Sequence, residues 1–140
     1  MKIILITFIL FLASCGVKKE TPQYGKTTLE ELLVLKGTPE SEEKIALADS
    51  KMLKFSDGSY YQITKNLVVS SYSFPIKEKA TLIYWRHQFK DCDIKIEQIS
   101  KEIKGHEKHE HFMRCDSEGK GVIYREDADF ISSVVEYEKK

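Results

Sequence analysis

The residues best equipped for chemistry sit in the stretch "HEKHEH", where His106, His109 and His111 alternate with Glu107 and Glu110. Imidazole and carboxylate together are ligands for zinc, copper or nickel. On a strand, His109 and His111 would share one face, because side chains alternate with period two. His87 stands elsewhere as a fourth candidate ligand. The spacing fails the metalloprotease template: after His106-Glu107 that motif requires histidine at position 110, which is Glu110. Alternating Lys, Glu and His also describes a solvated turn and an exposed strand face. That is the expectation, with metal binding by His106, His109 and His111 as the alternative reading.

Other catalytic templates are missing. The chain has no Gly-x-Ser-x-Gly elbow, and Gly119-Lys120-Gly121 lacks the length and terminal Ser or Thr of a phosphate loop. Asp116, Glu118 and Asp127 are expected in turns, where carboxylates are normally hydrated. The sequence thus predicts a protein that is not an enzyme and uses no cofactor.

The cysteines carry a second kind of chemistry. Residues 3–12, "IILITFILFL", are apolar behind Lys2. They are too few to span a bilayer, which takes roughly 20 apolar residues, and fit a secretory signal instead. Leu12-Ala13-Ser14-Cys15 follows, and resembles a bacterial lipobox. The resemblance implies a signal peptide over 1–14, removed by cleavage, and a Cys15 that carries fatty acyl chains of the palmitate type. Two or three such chains hold a membrane firmly, whereas one does so only marginally. Gly16, where an aspartate would signal inner-membrane retention, implies the outer membrane facing the periplasm. Residues 15–25 are then the lipidated cysteine and a flexible, polar tether.

In that oxidising compartment, Cys92 and Cys115 are expected to form a disulfide. The cross-link would be worth roughly 3–3.5 kcal/mol on a chain-entropy account. A reactive cysteine paired with a histidine is the competing reading, and nothing else in the chain supports it.

Basic and acidic residues balance, 22 of each. Their interspersed signs leave no electrostatic footprint for nucleic acid. Residues 26–140 are the right length for one small domain.

Within it, "TTLEELLVLKGTP" reads as a helix. Thr28 and Glu31 form a capping box, Leu29, Leu32 and Leu33 share a face, and Gly37 and Pro39 stop the chain. "KMLKFSDGSYYQIT" reads as a hairpin about Asp57-Gly58, with Leu53, Phe55, Tyr61 and Ile63 on one buried face. "NLVVSSYSF", after Lys65-Asn66, completes a three-stranded meander. "PIKEKATLIYWRHQFKD" reads as a second helix begun by Pro75, with Ala80, Ile83, Trp85 and Phe89 as its apolar members. Four more strands follow, in "CDIKIEQI", "HEHFMRCD", "KGVIYRE" and "DFISSVVEYE". The predicted class is α+β, short helices packed on an antiparallel sheet. The order matches two tandem helix-plus-meander units, 26–74 and 75–140, although identity between them is too low to show a duplication.

Thr28, Leu32, Gly37 and Pro39, the Asp57-Gly58 hairpin and "KNLVVSS" resemble the BamE/SmpA-type lipoproteins and the wider β-lactamase-inhibitor-like fold. The likeness covers residues 25–74, and Gly25 stands one residue further from Gly37 than in that family's opening. It implies short helices laid on an antiparallel sheet, and a role in binding other proteins. No catalytic residues come with it.

The aromatics Tyr60, Tyr61, Tyr72, Phe74, Tyr84 and Trp85 gather near the expected helix–sheet junctions. Most belong to a core, but neighbours in "YY" and "YW" point in different directions, so one of each pair can be exposed. Tyr60, Tyr61 and Trp85 are the expected interface anchors. The sequence thus predicts a membrane-anchored cell-envelope lipoprotein with a protein partner.

Overall fold

The protein is described from a computed structural model, which covers residues 21–45, 49–103 and 106–140, with side chains outside 100–108. Thr28 begins the first helix as its residue type requires. Its Oγ1 accepts from the Glu31 N–H (3.3 Å), while Glu31 Oε2 accepts from the Thr28 N–H (2.8 Å). Helix α1 then runs Leu29–Lys36 and ends at Gly37, whose φ of 84° suits a residue without Cβ.

Four strands follow: β1 (Ser41–Lys44), β2 (Ser50–Lys54), β3 (Tyr60–Thr64) and β4 (Leu67–Ser73). The sequence led us to expect three here. β1 reads "SEEK" and is exposed throughout, so it carries no apolar alternation that would announce a strand. Lys65 and Asn66, both at positive φ (49° and 65°), make the two-residue turn between β3 and β4.

The second half repeats this order with a 3-10 turn (Lys77–Lys79), helix α2 (Leu82–Gln88), and strands β5 (Ile94–Ile103), β6 (His106–Cys115), β7 (Lys120–Arg125) and β8 (Ile131–Tyr137). The helix begins later than Pro75 suggested, because Thr81 supplies the cap, its Oγ1 accepting from the Tyr84 N–H (3.3 Å). Its register differs too. Leu82, Trp85 and Phe89 face the core, while Ile83, expected in the stripe, is 77% exposed.

All eight strands form one antiparallel sheet in the order β1-β2-β3-β4-β8-β7-β6-β5. The halves meet at β4 and β8, from Ser70 opposite Tyr137 to Ser73 opposite Val134. Cross-strand partners point to the same side. The chain of partners Leu53, Tyr61, Ser71, Glu136, Lys120, Cys115 and Ile94 therefore marks one face from β2 to β5. Both cores lie on it. One gathers Leu32 of α1 with Leu53, Phe55, Tyr61, Ile63 and Val68. The other gathers Leu82, Trp85 and Phe89 of α2 with Met113, Cys115, Val122, Tyr124 and Ile131. The four residues expected on the buried face of the first hairpin are all there.

Between the helices the same face is filled by the N-terminal segment. Pro22 is buried, Tyr24 bonds Ser71 (2.7 Å) and Glu136 (3.2 Å), and the Gly25 N–H donates to the Val68 carbonyl (2.8 Å). Residues 22–25, expected to be flexible tether, are thus part of the folded unit. Burial drives the Tyr24 phenol well above its ordinary pKa, with the Glu136 carboxylate adding to the effect.

Cys92 and Cys115 are bonded, with Cα atoms 5.8 Å apart. The link ties the connection between α2 and β5 to the end of β6.

Candidate functional site

One side of the sheet is occupied by two helices and the N-terminal segment. On the other side neither helix packs, and the residues there follow from the same register. They are Tyr60 and Gln62 of β3; Ser70 and Tyr72 of β4, with Phe74 just beyond it; Val135 and Tyr137 of β8; Gly121 and Ile123 of β7; and Phe112 and Arg114 of β6. A soluble sheet face left to water is normally polar. This one is paved with aromatic rings.

The rings form two groups. Tyr60 and Phe74 meet edge to face at 6.3 Å, and Phe112 and Tyr137 do so at 6.1 Å. Between them Tyr72 reaches the Gln62 side-chain oxygen (3.4 Å), which also accepts from Ser70 (3.3 Å). Gly121 leaves the room that Phe112 occupies: a Cβ at Gly121 would collide with that ring and come within 2.8 Å of the Met113 carbonyl. Phe74 is 69% exposed, whereas Val135 beneath the rings is 3% exposed.

A charged cluster stands at the β5–β6 end of this face, and Lys54, paired with Glu40 (3.4 Å), stands beside Tyr60 at the other. Arg114 pairs with Glu97 (2.9 Å) and Asp116 (3.2 Å), and Asp116 also takes Lys95 (2.9 Å) and the Tyr137 hydroxyl (3.2 Å). The hydrogen bond from Lys95 chiefly holds the Asp116 carboxyl below its ordinary pKa. Burial, together with Asp116, pushes the Tyr137 phenol above its own. Asp116 lies in a turn as expected, but its carboxylate is bonded by side chains, at the centre of a five-residue cluster. Both shifts favour the forms already present at neutral pH.

The predicted site residues fall as follows. Of the three anchors, Tyr60 stands on the open face, but Tyr61 and Trp85 are each only 7% exposed and belong to the two cores. Tyr61 packs edge-on against Phe55, and the Trp85 indole N–H is spent on the Lys79 carbonyl (2.6 Å). Phe112 and Tyr137, not singled out in the sequence, share the open face with Tyr60. Their signal is spacing by two, in Phe112-x-Arg114 and Val135-x-Tyr137, which becomes legible only once β4 is known to pair with β8.

Of the histidines, His109 is exposed and lies 3.3 Å from the Gln98 amide nitrogen. His111 stacks on Tyr124 at 5.4 Å and approaches Glu126 at 3.9 Å. Both lie on the helix side by register. His106 opens β6, its side chain outside those described, and Cys15 likewise lies outside the described residues. Among the described residues, no three His, Cys, Asp or Glu side chains converge on a metal position. Among them too, no helix is long and apolar enough to cross a membrane.

No family model, curated protein or solved structure matches the chain.

Proposed function

We propose that this chain is a lipid-anchored protein of the cell envelope that works by binding another protein through its open sheet face, without catalysis. The observation that carries the reading is the face itself: Tyr60, Tyr72, Phe74, Phe112 and Tyr137 stand on the side that neither α1 nor α2 covers. Aromatic side chains with a polar tip are favoured at the centres of protein interfaces because they bury much area at little entropy cost. The Arg114–Asp116–Glu97 cluster supplies a polar rim at one end. In the same reading, Cys15 is the acylation site, and the chain is two tandem copies of one helix-plus-meander unit whose sheets merge at β4 and β8. The matching caps, bridges and bulges of the two halves support the last point.

The test is site-specific photo-crosslinking in intact cells. A crosslinker at Tyr72 or Phe112 is expected to capture one defined protein. Tyr60→Ser with Phe74→Ser should abolish that adduct while the circular dichroism spectrum stays unchanged. An adduct that survives the double substitution, or forms equally from Lys51 on the far side, would remove the open face as the binding surface.

A further inference from the structure

Helix α1 is apolar over more of its surface than its packing uses. Leu32 is fully buried against the sheet, yet Val34 is 82% exposed, flanked by Leu33 at 36% and Leu35 at 41%. With 3.6 residues per turn, Val34 projects about 160° away from Leu32, outward from the sheet. Of the two carboxylates on this side, Glu30 is exposed about 40° around the helix from Val34, while Glu31 is tied back to Thr28 by the capping box. Isolated apolar residues on a surface need no explanation, but three in succession on one short helix do.

The point where the chain enters the domain supplies one. Thr21 and Pro22 line the same groove as Val34 and Leu35. From Thr21 back to Cys15 the chain is short: fully extended, those six residues reach at most about 20–22 Å. They include Lys18 and Lys19. An acyl group on Cys15 would therefore hold the bilayer surface close to the outer side of α1, with two ammonium groups near the lipid phosphates.

We infer that α1 rests on the membrane that anchors the chain, with Leu33, Val34 and Leu35 entering the boundary between headgroups and acyl chains, so that the aromatic sheet face is turned away from the bilayer. The inference rests on the lipid-anchored reading above. It adds an orientation: α1 and the open face lie on opposite sides of the sheet, so contact through one presents the other. Acyl chains supply the attachment, and the apolar side chains suppress tumbling about the tether.

The experiment uses the full mature protein, purified from membranes and reconstituted in nanodiscs of phosphatidylethanolamine and phosphatidylglycerol. A fraction of the lipid carries a gadolinium chelate on its headgroup. Intact mass first reports whether Cys15 is acylated. Methyl resonances of Leu33, Val34 and Leu35 are then expected to lose most of their intensity, while those of Ile123 and Val135 keep theirs. In the acylated protein, Leu33→Ser with Val34→Ser should restore the Leu35 signal. Equal broadening on the two sides, or stronger broadening of Ile123, overturns the orientation and leaves the anchor standing. An unmodified mass removes the anchored reading, and the inference with it.

Discussion

Thr28 and Thr81 occupy the same place in the two halves of the chain. Each caps a short helix through its hydroxyl, and each forms an isolated bridge to the start of the last strand of its half, Thr28 with Leu67 and Thr81 with Phe130. The neighbouring bonds match as well. The Leu29 N–H donates to the Asn66 carbonyl (3.0 Å) and the Leu82 N–H to Asp129 (2.8 Å). Val68 donates to Thr27 (2.9 Å), and Ile131 to Ala80 (2.8 Å). In each half the ladder to the last strand slips by one residue at the same point, passing over Val69 in one and Ser132 in the other. Thr28→Ala and Thr81→Ala should therefore each cost about 0.5–2 kcal/mol. Thr28 should cost the more, since it also loses the reciprocal bond from Glu31. The pair should be additive within a few tenths in urea melts, being far apart in the fold. A neutral Thr81→Ala would break the equivalence.

The disulfide joins the connection between α2 and β5 to a cysteine that is wholly buried at the end of β6. Reduction is expected to cost roughly 3–3.5 kcal/mol on the chain-entropy account. Urea midpoints with and without reductant measure it, and Cys92→Ala with Cys115→Ala should make the two curves coincide.

Gly121 and Phe112 form a pair that can be tested together. Gly121→Ala drives a methyl into the Phe112 ring and the Met113 carbonyl, and such overpacking typically costs about 1–3 kcal/mol. Adding Phe112→Ala should cost less than the two single changes combined, because one of the collisions disappears. Full additivity in equilibrium unfolding would show that Phe112 does not lie over Gly121.

Asp57 accepts from Lys36 (2.7 Å) and from the Ser59 N–H (3.0 Å), and these bonds, the Lys36 bond foremost, hold its carboxyl far below the ordinary range. A depressed folded-state pKa stabilises above the unfolded value near pH 4, and that contribution is lost as pH falls. Both partners are partly exposed (25% and 51%), so the pair is worth no more than about 1 kcal/mol. Asp57→Asn should be less stable than the parent at pH 7, and the gap should close on acidification below about pH 4. A gap that widens in acid would contradict the assignment.

What the sequence disclosed was local. The Thr28 capping box, the Asp57-Gly58 hairpin and the alternation of Leu53, Phe55, Tyr61 and Ile63 each depend on residues close in the chain, and all stand where expected. The second helix was misjudged because Pro75 offers a start that Thr81, six residues later, fills better. β1 was missed because an exposed edge strand of charged residues has no buried side to pattern it. The open face was the hardest to see. Its aromatics come from four separate segments, and only the pairing of β4 with β8, more than sixty residues apart, places them on one surface. Tyr61 and Trp85 were named from the adjacent pairs in which they occur, and Phe112 and Tyr137 were not considered.

That pairing has a consequence for the birth of the molecule. The strand at the middle of the sheet is the last in chain order, so β4 and β7 keep bare edges until residues 131–137 have emerged. A polypeptide synthesised or exported from its N-terminus cannot close its sheet midway through transit, and a product truncated before Ile131 would expose two raw edges to aggregation.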